Sequence, residues 1–476
     1  MASRASRSLA AVVMAAGRGK RLKSEIPKVL HPVCGRPVLW HVLTAAGALR
    51  PEKLIVVVHH GRERVEEEVR AWGFDATFVD QGEPLGTGHA VMVAERAVGR
   101  TADVLVLPGD EPLVTADQLR ALMALHRRRK PAAVVQTTEA SDARGFGRVI
   151  KEGDSFLRVT EGDEASSAEL EIREVATSVY SFRREDLFKA LPVISRETKQ
   201  REYYLHHVLP VLVDKGEDVL VHRVDNGGSV GMNSRAEQAF ASAVMRRRIN
   251  DGLMASGVTI VDPGQTYVDA GVKVGRDTVI QPLTFLEGDT RIGSGCEIGP
   301  SARIRDSRVG DGAEIQFSVV REASIGARAS VGPYASLRPG TVLKAGAKAG
   351  TFVELKQTTV GEGSKVPHLA YVGDATIGRG ANIGAGTITC NYDGIDKHPT
   401  VIGDGAFIGS DTMLVAPVRI GKDAVTGAGS AITKDVPAGA LAVERGEQRV
   451  VEGYSKRRGK RAVARREGRK SRGEDS

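Results

Sequence analysis

The sequence predicts two folds in succession: an α/β domain built on a doubly wound sheet, and then a parallel β-helix. Short apolar segments alternate with helical patterns in the first half of the chain, which is typical of a doubly wound α/β domain. In the second half an aliphatic residue returns every six positions over long runs, a period that belongs neither to a helix nor to an ordinary strand. A chain of 476 residues has room for roughly two to four domains.

The first half contains buried-type strand segments at 9–14, 54–58 and 104–107, with helical patterns at 63–72 and 88–98. This alternation predicts a Rossmann-like sheet. Basic Arg4 and Arg7 precede the first segment and superficially resemble the start of a signal peptide. The apolar run is too short for one and ends in a glycine-rich turn. We therefore interpret it as the first strand.

A nucleotide-phosphate site is predicted where these strands end. Gly17 and Gly19 let backbone N–H groups approach phosphates, and Arg21 and Lys28 can neutralise the phosphate charge. Asp110 follows the third strand. Ligands of open α/β sheets bind at the carboxyl ends of strands, so Asp110 is placed to hold a divalent cation. The alternative is an aspartate that only caps a turn.

The six-residue period extends over about 258–436. Each unit is predicted to form one short strand and one corner, with the aliphatic side chain inside. Glycine and other small residues often follow the aliphatic position and suit tight corners. A glycine-rich β-sandwich is the alternative, but it would not hold this phase. The repeating aliphatic residues are Val274, Ile280, Leu286, Ile292, Ile298, Ile304, Ile325, Val331, Leu337, Leu343, Ile402, Ile408, Leu414, Ile420 and Ile432.

A helical linker is predicted between the two folds. Its apolar residues lie among basic ones and predict an amphipathic helix over 235–256. The expected domains are thus 1–234, the linker 235–256, the β-helix 257–446 and a tail 447–476. The apolar linker residues are Phe240, Val244, Ile249 and Leu253; Arg246, Arg247 and Arg248 are expected on a solvated face.

The tail is strongly basic. Residues 456–476 contain ten Lys and Arg and three Asp and Glu, a net charge of +7 out of +8 for the chain. Because the tail lacks apolar periodicity, we expect it to be disordered. A solvated extension is the favoured role. Contact with RNA or another anionic surface is the alternative, disfavoured because no aromatic residue interleaves the charges.

The number and spacing of the cysteines indicate the redox state of the compartment in which the protein works. Cys34, Cys296 and Cys390 are scattered, with no CxxC pair, which indicates a reducing compartment and argues against structural zinc. No run approaches 18 apolar residues, so no membrane span is predicted. We expect a cytoplasmic protein that does not contact a membrane.

The ordered motifs of the first half resemble the sugar-nucleotide pyrophosphorylases, and the repeats resemble the hexapeptide-repeat acyltransferases, whose β-helix is left-handed. Together, over about 11–445, they resemble the family of bacterial bifunctional enzymes that join an N-acetylglucosamine-1-phosphate uridyltransferase to a glucosamine-1-phosphate acetyltransferase. The motifs are Ala15-Ala16-Gly17-x-Gly19-x-Arg21, Pro27-Lys28-Val29-Leu30, Gln81, Leu85-Gly86-Thr87-Gly88-His89-Ala90, Gly109-Asp110, Gly145-Phe146-Gly147-Arg148-Val149, Glu161, Glu202-Tyr203-Tyr204 and Gly231-Met232-Asn233-Ser234-Arg235.

For the first half, the resemblance implies uridylyl transfer. A sugar 1-phosphate attacks the α-phosphorus of UTP and pyrophosphate leaves, a reaction driven by positioning and charge neutralisation. The implied roles are Mg²⁺ for Asp110 and Asn233; phosphates for Arg21 and Lys28; the nucleotide for Met14, Ala15, Ala16, Gly17, Pro108 and Gly109; uracil for Gln81, Gly86 and Thr87; and the sugar for Gly145 and Glu161.

The chain departs from this family at the sugar-contacting segment. The family usually has Glu-Ile-Asn-Thr-Gly where this chain has Glu174-Val175-Ala176-Thr177-Ser178. The Ala176 side chain forms no hydrogen bond, and losing one costs on the order of 0.5–1.5 kcal/mol. Sugar binding is therefore expected to be weaker or less selective. Lys20 also replaces a usual threonine in the glycine-rich turn.

For the second half, the resemblance implies acetyl transfer from acetyl-CoA to an amino sugar. The amine must lose a proton, and histidine suits such a base near neutral pH. The implied base is His368, with Glu354 orienting its ring. The amino-sugar phosphate is assigned to Arg338, Lys356, Tyr371 and Asn382; acetyl-CoA to Ala385, Tyr392, Ser410, Ala428 and Arg445; and Asn391 to both groups. The family forms homotrimers with active sites between subunits, so a homotrimer is implied.

Two alternatives remain. One keeps both enzymes but changes the sugar, because Ala176 lies in the sugar-contacting segment. The other is a non-catalytic scaffold, since subunits of the translation-initiation exchange factor share this domain order. Such subunits would lose active-site residues, whereas Lys28, Asp110 and His368 are all present.

Overall fold

The structure is a computed structural model that describes residues 8–140, 143, 147–152, 155–160, 165–195, 201–224 and 231–470. The chain divides into two compact units, 1–307 and 308–476. The division lies within the six-residue repeats. Among the described residues, no helix is both long and apolar enough to cross a bilayer. Cys34, Cys296 and Cys390 are free thiols.

The first unit contains a nine-stranded sheet in which β1 pairs in parallel with β4 and β6. The central order is β11-β7-β10-β6-β1-β4-β5, and β10 runs antiparallel to both β6 and β7. The strands of this part of the chain are β1 (Leu9–Met14), β2 (Pro32–Val33), β3 (Arg36–Pro37), β4 (Lys53–Val58), β5 (Thr77–Asp80), β6 (Asp103–Pro108), β7 (Ala133–Glu139), β8 (Arg148–Glu152), β9 (Ser155–Thr160), β10 (Glu174–Arg183) and β11 (Val219–Arg223).

Helices cover both faces of this sheet, as the sequence predicted. Successive residues of β1 point to opposite faces, so Val12 packs in one apolar layer and Val13 in the other, both fully buried. The α-helices are α1 (Val38–Gly47), α2 (Arg62–Ala71), α3 (Thr87–Val93), α4 (Glu95–Val98), α5 (Ala116–Arg129), α6 (Ser167–Leu170), α7 (Arg184–Ala190) and α8 (Val208–Asp214); the 3₁₀ helices are Lys20–Leu22, Lys28–Leu30, Leu191–Val193, Leu205–His207 and, later, Pro263–Gln265.

A long helix, α9 (Arg235–Ala255), follows the α/β domain, and it contacts the first coils of the β-helix. Phe240 is 47% exposed, whereas Ala241 and Asn250 are buried. The Asn250 side-chain amide donates to the carbonyl oxygens of Pro263 and Thr266 at 2.9 and 3.1 Å. A polar contact thus replaces part of the expected apolar face.

The prediction that the three arginines of α9 lie on a solvated face is wrong for two of them. Arg248 donates to the Leu113 carbonyl oxygen at 2.6 Å, and the Arg246 guanidinium lies over the Tyr267 ring at 4.6 Å. Arginine packs its stem and planar head against protein in this way without losing its charge. Arg247 remains on the exposed face, where it pairs with Asp251.

The six-residue repeats form a left-handed parallel β-helix. Each strand pairs with the strand that lies three six-residue repeats later in the sequence, as when Ile280 pairs with Ile298. In the first unit these strands are β12 (Thr259–Ile260), β13 (Thr266–Val268), β14 (Lys273–Val274), β15 (Val279–Ile280), β16 (Thr284–Glu287), β17 (Arg291–Ile292), β18 (Glu297–Ile298) and β19 (Arg303–Arg305).

The repeats of the second unit follow the same pattern: Ile325 pairs with Leu343 and both are buried. The strands are β20 (Arg308–Val309), β21 (Glu314–Ile315), β22 (Val319–Arg321), β23 (Ser324–Ile325), β24 (Ser330–Val331), β25 (Ser336–Leu337), β26 (Val342–Leu343), β27 (Lys348–Thr351), β28 (Glu354–Lys356), β29 (Thr359–Val360), β30 (Lys365–His368), β31 (Tyr371–Gly373), β32 (Ala375–Ile377), β33 (Asn382–Ile383), β34 (Ile388–Cys390), β35 (Thr400–Ile402), β36 (Phe407–Ile408), β37 (Met413–Val415), β38 (Val418–Ile420), β39 (Val425–Thr426), β40 (Ala431–Ile432) and β41 (Leu441–Ala442).

The aliphatic residues that repeat are the inner ladder of this β-helix. All fifteen are buried except Val274, which is half-buried. One loop interrupts the repeats between β34 and β35, where Tyr392 and Ile395 are 59% and 85% exposed. The protruding loop predicted at this point is therefore present.

The basic tail contains a helix, α10 (Tyr454–Lys470), where the sequence predicted disorder. Arg, Lys and Ala are strong helix formers, and this local preference does not require an apolar face. All side chains of 447–465 are exposed, so packing does not hold the helix over the residues whose side chains are described.

Candidate active sites

A cavity of about 640 Å³ lies at the carboxyl ends of β1 and β6. Nine of the residues predicted for the nucleotide line it: Met14, Ala16, Gly17, Lys28, Gln81, Gly86, Thr87, Pro108 and Asp110. The other lining residues are Arg18, Val29, Glu83, Pro84, Ala90 and Glu202. Arg18 brings a positive charge to the cavity lining. Arg21, which was predicted to meet the phosphates, is exposed on the 3₁₀ helix Lys20–Leu22 and is not among the lining residues.

Glycine is required at two places around this cavity. Gly86 has a φ of +104°, and a Cβ there would lie 2.6 Å from the Tyr203 carbonyl oxygen. A Cβ on Gly109 would lie 2.7 Å from the Met14 carbonyl oxygen, which accepts the Gly109 N–H at 2.8 Å. Neither position therefore has room for a side chain.

The ammonium group of Lys28 joins the two residues expected to bind a metal. It forms an ion pair with Asp110 and donates to the Asn233 side-chain oxygen at 2.7 Å. The side chains of Lys28 and Asp110 are only 12% and 19% exposed. An oxygen of Asp110 and an oxygen of Asn233 therefore converge on one positive charge at the edge of the cavity.

Backbone contacts hold Asn233 in this position. The Met232 N–H donates to the Asp110 carbonyl oxygen at 2.9 Å, and the Asn233 N–H donates to the Glu237 carboxylate at 2.7 Å. The side-chain NH₂ of Asn233 donates to the Gly231 carbonyl oxygen at 3.0 Å. This bond turns the amide oxygen towards Lys28.

The two side chains predicted to recognise uracil also support the loop around them. Gln81 donates through Nε2 to the Gly86 carbonyl oxygen at 2.9 Å, and Thr87 accepts the Leu205 N–H at 3.0 Å. Gln81 is buried.

The segments that were predicted to hold the sugar are only partly described. Gly145 and Glu161, predicted to hold the sugar, lie outside the described residues. Ala176 lies at an irregularity in β10, where the register with β7 shifts before Tyr180. Within it, Ser178 has a φ of +59°, which a serine adopts at a cost and a glycine does not. The family's glycine is replaced at a left-handed position.

The second candidate site follows one corner of the β-helix through four coils. The Gly386 N–H donates to the His368 carbonyl oxygen at 3.4 Å, the Asp411 N–H to the Ala385 carbonyl oxygen at 2.6 Å, and the Gly429 N–H to the Ser410 carbonyl oxygen at 2.8 Å. Arg445 follows in this line. Its Cδ lies 4.0 Å from the point that a Cβ would occupy if Gly429 had a side chain. The exposed His368 thus begins a line of small residues that includes Ala385, Ser410 and Ala428 and ends at Arg445.

Charged side chains on the adjoining strands form a second group. Lys356 lies 3.5 Å from Asp374, which also accepts a bond from the Asn391 side chain at 2.5 Å. Lys397, on the protruding loop, was missed because its neighbours in sequence give no sign that the loop folds back. Hydrogen bonding to Lys397, and then the charge of Asp374, raise the pKa of Lys356. The pKa of Lys397 is lowered, first by its hydrogen bond to Lys356.

Glu354, which was predicted to orient His368, forms a hydrogen bond with a different residue. Glu354 accepts a hydrogen bond from Arg338 at 2.9 Å, and within the described chain no hydrogen bond or ion pair joins Glu354 to His368. Paired strands place Glu354 beside Tyr371. The role of Glu354 in orienting the His368 ring therefore stays a prediction, and in this structure Arg338 is the hydrogen-bond partner of Glu354. Asn382 and Tyr392 lie on β33 and on the protruding loop.

The protruding loop is braced internally. The His398 ring and the Asp393 carboxylate are joined by a hydrogen bond of 2.7 Å, and Asp393 also accepts the Ile395 and Asp396 N–H groups at 2.8 and 2.7 Å. The bond to His398, then those to Asp396 and Ile395, hold the pKa of Asp393 well below its usual range. The loop therefore presents Asn391 and Lys397 from a defined conformation.

Comparisons with known proteins match both halves of the chain. Residues 11–217 match the model of the MobA-like NTP transferase domain, and residues 399–434 match the bacterial transferase hexapeptide model of six repeats.

Full-length relatives match almost the entire chain. Proteins named bifunctional protein GlmU from Syntrophomonas wolfei, Heliobacterium modesticaldum and Streptomyces avermitilis are 46%, 47% and 45% identical. The matches cover 93%, 94% and 95% of this chain and 98%, 98% and 95% of those proteins. With identity at this level over nearly the full length of both partners, the chain belongs to the bifunctional GlmU family.

Proposed function

We propose that this chain carries out two consecutive steps of UDP-N-acetylglucosamine synthesis in the cytoplasm. The β-helix transfers an acetyl group from acetyl-CoA to the amine of glucosamine 1-phosphate. The α/β domain then transfers uridylyl from UTP to N-acetylglucosamine 1-phosphate and releases pyrophosphate. The domains that serve these steps are 1–234 and 257–446, joined by the helix at 235–256.

The observation that carries this proposal is the presence of two separate sites on one chain. One is the cavity at β1 and β6, where Lys28 bridges Asp110 and Asn233. The other is the line from His368 to Arg445 along the β-helix. A non-catalytic scaffold would not need either arrangement.

The residues of the first site fit Mg²⁺. Their carboxylate and amide oxygens are the hard ligands that Mg²⁺ prefers, and they already converge on a cation, the Lys28 ammonium. No group of three or more His, Cys, Asp or Glu in the described part of the chain offers an alternative site. A bound Mg²⁺ would neutralise charge on phosphate oxygens. Asp110 and Asn233 would hold it.

The protein's own groups in this site position the nucleotide. Gln81 reads the base, the backbone at 14–17 lies along the nucleoside, and the cationic Lys28 and Arg18 stand at the phosphates. No protein nucleophile is needed, because the sugar phosphate attacks the α-phosphorus of UTP directly. The role of Arg21 at the phosphates is also proposed, and it requires movement of its exposed turn.

In the second site His368 accepts the proton that the amine loses when it attacks the thioester. The thiol of coenzyme A leaves as the amide forms. Acetyl-CoA lies along Ala385, Ser410 and Ala428, where small residues leave room, with Arg445 at the far end. Arg338, Lys356 and Lys397 bind the sugar phosphate, and Tyr371, Asn382, Asn391 and Tyr392 complete the site.

The proposal includes a homotrimer formed through the β-helix. An exposed apolar ladder consists of Phe317, Tyr334, Phe352 and Leu369 on one corner, and Leu369 directly follows His368. Exposed apolar patches of this kind are typical of protein interfaces. Sedimentation velocity is expected to give a trimer; a monomer at micromolar concentration would contradict this part of the proposal.

The sugar specificity is tested through Ala176. Pyrophosphate release with UTP and Mg²⁺ is expected to be greatest with N-acetylglucosamine 1-phosphate, ahead of glucosamine 1-phosphate and glucose 1-phosphate. In an Ala176→Asn variant the restored hydrogen bond should increase this preference, by about 2- to 10-fold in kcat/KM for 0.5–1.5 kcal/mol. The acetyl transfer rate serves as the control and should not change.

Two outcomes separate the alternatives. Equal use of all three sugar phosphates by the unmodified chain would mean that the altered segment has relaxed the specificity. Preference for a different sugar would support the alternative in which both domains are enzymes but the product is another nucleotide sugar.

A further inference from the structure

The C-terminal helix α10 concentrates positive charge on solvent-exposed side chains in its described part. Every side chain from Tyr454 to Arg465 is exposed. This stretch contains six Lys and Arg and no Asp or Glu. None of the reactions above uses it.

The helix aligns four of these side chains. At 100° per residue, Tyr454, Arg458, Arg461 and Arg465 fall within roughly 60° of one another around the helix axis. At 1.5 Å per residue they extend over about 16 Å. We call these four residues the arginine stripe. The sequence alone did not reveal it, because Tyr454 precedes the charged run and joins the stripe only in a helix.

The stripe is free to bind a partner. No hydrogen bond or ion pair in the described chain engages the side chains of Arg458, Arg461 or Arg465, whereas Arg457, outside the stripe, donates to the Glu452 carbonyl oxygen at 2.7 Å. Tyr454 is 62% exposed. Like charges on one face of a helix repel, so a bound polyanion would also stabilise the helix.

We propose that the arginine stripe binds single-stranded RNA, with the arginines on the phosphates and Tyr454 stacked on a base. Arginine matches phosphate oxygens with two parallel hydrogen bonds, and aromatic stacking with a basic track is how proteins bind single strands without sequence preference. About 16 Å corresponds to roughly four or five nucleotides at 3.4 Å each.

A lipid surface fits the stripe less well. Helices that lie in a membrane interface bury a face of Trp, Phe or Leu. The described side chains of α10 include only Val463, two alanines and Tyr454 as apolar groups, and Tyr454 lies among the arginines. Nothing is present to insert into the acyl layer.

The test is fluorescence anisotropy of a labelled 12-nucleotide RNA with the full chain and two double variants of equal charge. Arg461→Gln/Arg465→Gln removes half of the stripe, and Lys456→Gln/Lys460→Gln removes the same charge from another face. We expect the stripe variant to weaken binding about 10-fold and the control variant less than 3-fold. Tyr454→Phe should retain affinity and Tyr454→Ala should lose about 5- to 10-fold.

Three results would overturn the proposal. The first is that the unmodified chain fails to bind the RNA. The second is that both double variants lose RNA affinity equally. The third is that the chain binds vesicles containing phosphatidylglycerol more tightly than RNA and that Tyr454→Ala does not change this vesicle binding. Both enzyme activities should be unchanged in every variant, which shows that the chain has folded.

Discussion

Replacing His368 by alanine is expected to lower acetyl transfer by about 100-fold or more and to leave uridylyl transfer unchanged. General base catalysis contributes roughly 10²- to 10⁴-fold, and His368 is the titratable group at the start of the line that leads to Arg445. The measurement is release of the coenzyme A thiol from acetyl-CoA with glucosamine 1-phosphate. Pyrophosphate release is measured in parallel.

A matched control lies on the neighbouring coil of the β-helix. Lys348 is exposed on β27, the strand that pairs with that of His368, and Lys348→Ala should keep both activities. An unchanged acetyl transfer rate in His368→Ala would rule out its role as the base. Loss of both activities would contradict two independent sites.

Replacing Asp110 by asparagine is expected to have the opposite effect, with uridylyl transfer lowered about 100-fold or more and acetyl transfer retained. The variant loses the negative charge that pairs with Lys28 and that we propose holds the divalent cation. A 100-fold loss corresponds to about 2.7 kcal/mol, within the several kcal/mol that a metal contributes to phosphate chemistry. Pyrophosphate release over a series of Mg²⁺ concentrations measures the effect.

Binding of Mn²⁺ without nucleotide, followed by electron paramagnetic resonance, separates loss of the metal from loss of the fold. Asp110→Asn should bind Mn²⁺ more weakly than the unmodified chain. The control is Asp75→Asn, which removes an exposed carboxylate distant in sequence from Asp110, and its Mn²⁺ affinity should equal that of the unmodified chain. Equal Mn²⁺ affinity in Asp110→Asn would remove Asp110 from the metal site.

Periodicity was sufficient to predict the β-helix, because each coil repeats one local rule: an aliphatic residue inside and a small residue at the corner. Ile298, Leu337 and Ile408 all occupy the interior that their spacing predicted. The alternation of β1, β4 and β6 with helices likewise predicted the sheet that brings Met14 and Asp110 to one edge.

Contacts between distant segments could not be predicted in this way. The bond from Lys28 to Asn233 joins residues far apart in sequence, and the pairing of Glu354 with Arg338 depends on which coils are adjacent. In α9, burial of Asn250 in place of Phe240 follows from carbonyl oxygens on another segment. Local pattern carries no information on such partners.

In the basic tail, the composition of the sequence predicted the wrong local structure. Low hydrophobicity and high charge predicted disorder, but the helix propensity of Arg, Lys and Ala acts without any packing. The resulting helix places Tyr454 in line with three arginines, a relation that composition alone does not contain. The departures at Ala176 and Ser178 were visible in the sequence, and the structure adds that Ser178 has a left-handed backbone.

The most direct test of the central claim supplies the purified chain with glucosamine 1-phosphate, acetyl-CoA, UTP and Mg²⁺ and follows the products by mass spectrometry. UDP-N-acetylglucosamine should form only when acetyl-CoA is present, with N-acetylglucosamine 1-phosphate appearing before it. Uridylylated glucosamine formed equally well without acetyl-CoA, or acetylated sugar phosphate that is never uridylylated, would contradict an enzyme that performs both steps in this order.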